Sequence, residues 1–261
     1  MSFYVTLPSD SSPDFFPENT VARFKTYLPE PLTLSGRWEV GLVEIVYPHS
    51  WENVTDNMYF VSIKIDKKVG TYEIPHGYYS KIEDLIHVLP HNFLKGQARI
   101  YYKPEIRRTV VQILSDKVMV KFSPALSILL GFSPSTSPLS MDSSSVPFRE
   151  SSEYLPKISY MGDFAADVES VKTIFVYCDI IEAQYVGHVK VPLLRTVKTK
   201  AKPGETIEKT YENPHYLPVS KKEIRTIEVD LRTESGEPVP FQHGGSMVKL
   251  HFRPARSPFF T

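Results

Sequence analysis

The fold is decided by the stretch Ser170–Val197, SVKTIFVYCDIIEAQYVGHVKVPLLRTV. Its first part, residues 174–181, is rich in β-branched and aromatic residues and is too short for an ordinary amphipathic helix. Such a run is typical of a strand covered on both faces. Residues 189–193 alternate between apolar and polar, which predicts a half-buried strand. The stretch therefore predicts a central strand, a corner at Gly187 and a strand nearer the sheet edge, since Pro192 cannot donate to a central ladder.

Proline is frequent along the chain, which contains 22 prolines and 12 glycines. Proline at this density ends strands and excludes long helices. Composition and alternation predict further strands at residues 3–7, 21–28, 38–47, 59–65, 98–103, 108–114, 117–122, 223–231 and 247–253. One short helix is predicted over residues 82–89, with Ser80 as its N-cap and Glu83 completing a capping box. A second is predicted over 124–132, with proline in its first turn.

The order of these elements predicts the fold class. The three strands between residues 98 and 122 follow one another closely, which favours an antiparallel meander. Short strands, long loops and two short helices without a β–α–β rhythm predict a mainly β protein, a single jelly-roll antiparallel β-sandwich. No break in composition marks a second domain. The sequence therefore predicts one domain over residues 1–261, with a Ser/Pro-rich loop insertion at about 133–152 that either stays a surface loop or orders against a partner.

The charge balance excludes several classes of partner. The chain has 30 basic and 30 acidic residues, so its net charge is zero and it lacks the positive charge typical of a nucleic-acid-binding protein. No apolar run reaches the roughly 20 residues that a membrane span needs. The first residues, MSFYVTLPSDSS, lack the basic and apolar regions of a secretory signal. We therefore expect a protein that is made inside the cell and not secreted, without direct nucleic-acid contact or a membrane span.

Residue patterns that carry catalysis are weak in this sequence. It contains neither a glycine-rich phosphate loop nor a nucleophile elbow. Cys178, the one cysteine, is near Asp179 and His188 in sequence, but adjacent strand residues point to opposite faces. A buried, inert thiol is the simpler interpretation. The sequence thus predicts no enzyme, no catalytic residue, no cofactor and no metal, which leaves a structural or binding module.

An ordered series of short motifs runs along almost the whole chain. Its members are Phe3–Ser9 (FYVTLPS), Phe16–Thr20 (FPENT), Leu34–Leu42 (LSGRWEVGL), Leu130–Phe132 (LGF), Val176–Glu182 (VYCDIIE), Val191–Arg195 (VPLLR), Pro214–Pro218 (PHYLP), Ile227–Arg232 (IEVDLR), Pro238–Phe241 (PVPF) and Val248–Arg253 (VKLHFR). In this order the motifs resemble the minor capsid (penton) protein of Maverick/Polinton elements and the related adintoviruses. The resemblance thins at residues 133–152.

That resemblance implies a role in a virion. It implies a single jelly roll that forms homopentamers at the five-fold vertices of an icosahedral capsid, beside a double-jelly-roll major capsid protein. A five-fold ring requires heterologous contacts, in which one face of each subunit meets a different face of the next.

Aromatic residues outside the predicted strands are the candidate intersubunit contacts. The loop near residue 15 and the end of the chain carry four of them: Phe15, Phe16, Phe259 and Phe260. Each either fills the core of its own subunit or anchors a neighbour. The proline-bounded loop 214–218 adds His215 and Tyr216, and it either makes a contact of fixed shape or caps the core of its own sandwich.

A binding module is the alternative class. Jelly rolls also serve as carbohydrate- or partner-binding domains, acting as monomers or trimers. An exposed tryptophan or tyrosine on one sheet face would favour that function. Trp51, which lies in a loop with His49 and Asn53, is the candidate for such a site.

Overall fold

The computed structural model describes residues 1–55, 59–65, 68–90, 96–115, 117–133, 158–199, 202 and 204–255. The chain forms two compact units. The first, which we call the jelly-roll unit, comprises Met1–Trp51 and Val171–Thr261. The second, the inserted unit, comprises Glu52–Ser170 and thus interrupts the first in sequence.

Strands dominate both units. The jelly-roll unit contains β1 (Phe3–Pro8), β2 (Arg23–Thr33), β3 (Trp38–Pro48), β10 (Thr173–Cys178), β11 (Gln184–Val186), β12 (Val189–Val191), β13 (Leu193–Lys198), β14 (Thr206–Thr210), β15 (Tyr216–Pro218), β16 (Glu223–Arg232) and β17 (Met247–Pro254). The inserted unit contains β4 (Phe60–Ile65), β5 (Lys68–Glu73), α1 (Ile82–His87), β6 (Ala98–Lys103), β7 (Arg108–Ile113), β8 (Val118–Phe122), α2 (Pro124–Leu129) and β9 (Ile158–Met161). The mainly β fold class with two short helices is confirmed.

Two antiparallel sheets form the jelly-roll unit. Sheet A has the order β1-β17-β3-β14, with β15 also paired to β3, and sheet B has the order β13-β10-β16-β2. Counted along the chain, these eight strands give the orders 1-8-3-6 and 2-7-4-5. That arrangement is the strand order of an eight-stranded jelly roll. The inserted unit enters between its third and fourth strands.

The stretch that opens at Ser170 supplies the centre of sheet B. β10 lies between β13 and β16, as predicted. Its alternate residues Ile174, Val176 and Cys178 are buried, whereas Phe175 and Tyr177 on the opposite face are half-buried. The predicted covering of both faces is therefore correct for one face only, because a sandwich sheet buries its inner face and leaves the other to solvent.

The second half of that stretch differs from the prediction. Gly187, with a φ of 60°, turns a small two-stranded hairpin of β11 and β12 that lies outside both sheets. The edge strand of sheet B is β13, which begins only after Pro192. Pro192 contributes its carbonyl oxygen, which accepts from the backbone N–H of Cys178 at 3.1 Å. The proline thus separates two short strands where one was expected.

The core of the jelly-roll unit lies between the inward faces of its sheets. Side chains alternate along each strand, so the residues of one face point towards this core. The buried set includes Val40, Leu42, Ile45, Val248, Leu250 and Phe252 from sheet A and Phe24, Ile174, Val176, Ile227, Val229 and Leu231 from sheet B.

The inserted unit has a core of its own. One three-stranded sheet has the order β5-β4-β8 and the other β6-β7-β9. Its buried core includes Val61, Ile63, Leu85, Ile100, Val111, Val120, Phe122 and Leu126. The predicted meander of three consecutive strands is wrong, because β8 pairs with β4 and β9 takes the place beside β7.

The two helices differ in how well their ends were predicted. α1 begins after Lys81, which makes no side-chain cap, and the hydroxyl of Ser80 donates instead to Asp84 at 3.0 Å. The predicted capping box is therefore wrong. α2 has proline in its first turn, as predicted, and its cap is Ser123, whose hydroxyl oxygen accepts from the N–H of Leu126.

The division into two compact units describes how the contacts cluster and does not test the domain prediction. That residues 1–261 form one domain therefore stays a prediction. Its loop insertion at about 133–152 falls almost entirely on residues 134–157, which lie outside the described residues.

Candidate intersubunit surfaces

The predicted contact residues fall into two separate groups on the jelly-roll unit. Phe15 and Phe16 lie in the loop between β1 and β2. His215 and Tyr216 lie where the chain enters β15, which pairs with β3 of sheet A. Phe259 and Phe260, the remaining two, lie outside the described residues.

The loop between β1 and β2 closes the outer edge of β2. The side-chain amide of Asn19 donates to the carbonyl oxygen of Lys25 at 2.9 Å, and its Oδ1 accepts from the N–H of the same residue at 2.8 Å. The hydroxyl of Ser12 accepts from the N–H of Tyr27 at 3.0 Å. An open strand edge invites pairing with another chain. At β2 that edge is occupied by side chains of the loop.

Within this loop Phe15 presents its ring to solvent. The N–H groups of Phe15 and Phe16 both donate to the carbonyl oxygen of Ser12, at 3.3 and 2.9 Å. The ring of Phe15 stacks on Tyr27 with centroids 4.4 Å apart and planes inclined by 12°. Phe15 is 60% exposed and Tyr27 36%, whereas Phe16 is half-buried. The two stacked rings form one exposed aromatic surface, and aromatic side chains are enriched in protein interfaces.

The second group depends on a glycine in β3. β15 pairs with β3, with Tyr216 opposite Gly41. A Cβ at Gly41 would lie 2.9 Å from Cβ of Pro214 and 3.0 Å from the carbonyl oxygen of His215. Any larger residue would push the segment away. Gly41 therefore permits the proline-bounded loop to lie close against the strand.

Tyr216 then reaches across sheet A to β17. Its hydroxyl lies 2.7 Å from Nδ1 of His251. The guanidinium carbon of Arg253 lies 3.4 Å from the centroid of the Tyr216 ring, and Nε of Arg253 is paired with the carboxylate of Glu39. A guanidinium over an aromatic face is held by the ring quadrupole. With Tyr4, whose ring stacks on His251 at 4.6 Å, these residues form what we call the Tyr216 cluster.

The Tyr216 cluster lies on the outward face of sheet A. His251 and Arg253 alternate along β17 with the buried residues Leu250 and Phe252. Partial burial, and secondly the charge of Arg253, lower the pKa of His251 below its ordinary value. The neutral imidazole is therefore favoured, and it presents one nitrogen to the Tyr216 hydroxyl.

Cys178 is a buried free thiol, as predicted. Burial raises its pKa to about 12, so the reactive thiolate is disfavoured. The neighbouring Asp179 has a structural role, since its carboxylate accepts from Lys221 at 2.6 Å and from the N–H of Glu228 at 2.8 Å. The thiol and the carboxylate do not form a nucleophile with its base.

A cavity of about 420 Å³ lies in sheet B of the jelly-roll unit, and Tyr177, Pro192, Asp230 and Arg232 are among its lining residues. Arg232 is held in place because its Nη2 is 2.8 Å from Oδ2 of Asp230 and its Nη1 donates to the carbonyl oxygen of Gly236 at 3.0 Å. This volume falls within the range of small-ligand pockets.

Trp51 does not line a binding surface. It is only 3% exposed and packs in the jelly-roll unit against His49, with ring centroids 4.1 Å apart, and against Phe241 at 5.8 Å. The prediction that Trp51 is the residue of a carbohydrate site is therefore wrong. The residue serves as core.

Within the part of the chain that the structure describes, no group of three or more His, Cys, Asp or Glu side chains could hold a metal ion. The helices of this part are too short to cross a membrane.

Comparison with known proteins gives structural neighbours only. No protein-family model matches the chain, and no curated protein matches it. Solved structures of similar fold include selenomethionine-labelled mavirus penton protein, at 10% identity over 97% of this chain and 99% of that chain, with a TM-score of 0.49. A chain of the Sputnik virophage, determined by cryo-electron microscopy, is 11% identical over 96% of this chain and 97% of that chain, with a TM-score of 0.47. Neither likeness assigns a role to a residue of this chain.

Several residues of these surfaces were missed from the sequence. Tyr4 and Tyr27 are outward members of alternating strands, and each could have been found from its alternation once the inward face was known. The pairing of Tyr216 with His251 and Arg253 joins residues 35 and 37 positions apart in sequence, and no local pattern signals it.

Proposed function

We propose that this chain is a penton, the minor capsid subunit that forms homopentamers at the five-fold vertices of an icosahedral capsid of the Maverick/Polinton kind. One observation carries the proposal. All but one of the motifs that resemble the Maverick/Polinton penton lie in the jelly-roll unit, and several coincide with its strands β1, β3, β10, β16 and β17. Jelly rolls are the building blocks of many viral capsids.

The arrangement of the candidate surfaces supports a ring. A cyclic assembly with five copies needs two different surfaces on each subunit, one to meet the next copy and one to meet the previous copy. The Phe15–Tyr27 pair lies on the edge of sheet B, and the loop of His215 lies beside β3 of sheet A. The proposed partners are further copies of the chain and a double-jelly-roll major capsid protein, and the proposed location is the capsid vertex. The proposed role is structural and not enzymatic.

The solution mass tests the proposal. We expect light scattering on a sizing column to give, for the purified protein, five times the 29.8 kDa of one chain. The mass of a single chain at all concentrations would contradict the solution pentamer.

A carbohydrate-binding module is the second candidate, and the cavity beside Tyr177 is the observation that favours it. An aromatic ring can stack on a sugar, while the carboxylate of Asp230 accepts from sugar hydroxyls and the guanidinium of Arg232 donates to them. A glycan screen of the purified protein, repeated with Tyr177→Ala, tests this function. Binding that the substitution abolishes, by a protein with the mass of one chain, would favour it over the penton.

A further inference from the structure

Sheet A begins with a strand whose outer edge is open. The N–H of Ser9, just after β1, donates to the carbonyl oxygen of Ser246 at 2.8 Å, so Ser9 faces the β17 side. Backbone groups alternate in direction along an antiparallel strand. Residues 3, 5 and 7 therefore also face β17, and Tyr4 and Thr6 direct their N–H and C=O groups away from the sheet.

The other end of sheet A is open as well. The carbonyl oxygen of Glu205 accepts from the N–H of His49 at 2.8 Å, and the N–H of Tyr211 donates to the carbonyl oxygen of Val43 at 2.7 Å. By the same alternation, the even-numbered residues of β14 direct their backbone groups outward. These residues are Thr206, Glu208 and Thr210, and their side chains are exposed.

These outward groups have no hydrogen-bond partner among the residues that the structure describes. Sheet B differs at its β2 edge, which is occupied by Ser12 and Asn19. Its β13 edge is covered in part, since the carbonyl oxygens of Leu193 and Lys198 accept from the side chains of Gln184 and Lys209. Proteins commonly protect an open edge with charged residues. β1, with the sequence FYVTLP, has no charged residue and carries a proline only at its last position, so Tyr4 and Thr6 lack that protection.

We propose that β1 of one copy pairs with β14 of the next copy, so that sheet A continues from subunit to subunit around the ring. The inference rests on the proposed function and names the backbone contact that builds the pentamer. The partner of β1 is thus a second copy of this chain, and the contact is heterologous, as a ring requires.

Strand direction fits this contact. Every neighbouring pair in sheet A is antiparallel, so β1 and β14 run in opposite directions. In a ring whose axis runs along the strands, β14 of the next copy meets β1 in antiparallel orientation and continues the alternation. Pairing of β1 with β1 of another copy would instead be isologous and would stop at a dimer. Tyr4 and Thr6 would then face threonine-rich β14, and such cross-strand pairs are favourable.

A proline on the open edge tests the inference directly. Thr6→Pro removes an N–H that the subunit itself does not use, and proline is tolerated where an edge N–H faces outward. Glu208→Pro makes the same change on the partner strand. Thr6→Val, which keeps the N–H and a β-branched side chain, is the matched control. We expect light scattering to give the mass of one chain for both proline variants, with the circular dichroism of folded protein retained, and the mass of five chains for the control.

Two outcomes separate this inference from the proposed function. A Thr6→Pro protein that keeps the mass of five chains would overturn the edge pairing and leave the penton proposal standing. A wild-type protein that never forms a pentamer would overturn both.

If the proline variants fail to fold, amide hydrogen exchange of the wild-type pentamer tests the pairing of β1 with β14 instead. The amides of Tyr4, Thr6, Thr206, Glu208 and Thr210 should exchange slowly in the pentamer and at least tenfold faster after dilution to the monomer. Fast exchange of these amides in the intact pentamer would overturn the pairing.

Discussion

The hydroxyl of Tyr216 lies 2.7 Å from Nδ1 of His251, so the short strand β15 is tied across sheet A to β17. Tyr4 on β1 stacks on the same imidazole, and Arg253 covers the Tyr216 ring. One histidine thus connects strands from three separate parts of the chain. The protonation of His251 therefore affects the part of sheet A against which loop 214–218 lies.

Acidification should weaken the fold through His251. Its pKa is lowered in the folded protein, chiefly by burial and then by Arg253, so the unfolded chain binds the proton more readily. This contribution to stability is complete above the ordinary pKa of 6.5 and is lost as the pH falls through the lower folded value. The melting temperatures of wild type and His251→Gln at pH 7.5 and pH 5.0 measure it. Wild type should lose more than the variant, and equal losses would contradict this role.

Gly41→Ala should destabilise the jelly-roll unit. The added Cβ would approach Pro214 and the carbonyl of His215 to about 3 Å, so the segment before β15 must move. Overpacking of this kind costs about 1–3 kcal/mol in the free energy of unfolding. Gly245→Ala is the matched control, because its Cβ would meet only Ser9 Oγ at an ordinary 3.7 Å. Denaturant titration should separate the two variants, and equal midpoints would refute the close approach at Gly41.

Tyr47→Phe should stabilise the protein or leave it unchanged. The hydroxyl of Tyr47 is buried without a hydrogen-bond partner among the described residues, and burial raises its pKa to about 12. Removing an unsatisfied buried hydroxyl should add up to about 1 kcal/mol to the free energy of unfolding. Tyr216→Phe, which removes a hydroxyl that does have a partner, should instead cost about 1 kcal/mol. A loss of stability in Tyr47→Phe would show that its hydroxyl is satisfied.

Phe15→Ala should weaken assembly more than folding. An exposed aromatic anchor of an interface typically contributes about 1–2 kcal/mol or more to the binding free energy. Its removal should therefore raise the dissociation constant of the assembly about tenfold. Tyr185→Ala, at a residue that is 81% exposed and belongs to the small hairpin, is the control. Dilution series followed by light scattering measure both. If the two variants dissociate at the same concentration as wild type, Phe15 is not an anchor.

How far the sequence predicts this structure depends on the range of the interactions. β3, β10, β16 and β17 were predicted because alternation and β-branched composition are local properties of a strand. β14 and β15 were missed, since TIEKT is mostly polar and YLP has only three residues, and both form strands by pairing with β3. The order of strands in each sheet, and hence the pairing of β8 with β4, is set by contacts between distant residues.

The candidate surfaces were also predicted only as far as local sequence allows. Phe15 could be predicted as a contact residue because it is an aromatic residue in a loop bounded by prolines. Its stacking on Tyr27, and the closing of the β2 edge by Asn19, required the fold. The burial of Trp51 could not be seen from its loop sequence, because the residues that cover it include Phe241, which is 190 positions away.

The most direct test of the penton account is the rotational symmetry of the purified particle. Electron-microscopy class averages viewed down the ring axis should show five equal subunits, with density for sheet A continuous between neighbours. Averages with two-fold or three-fold symmetry, or particles of a single subunit at every concentration, would contradict the account.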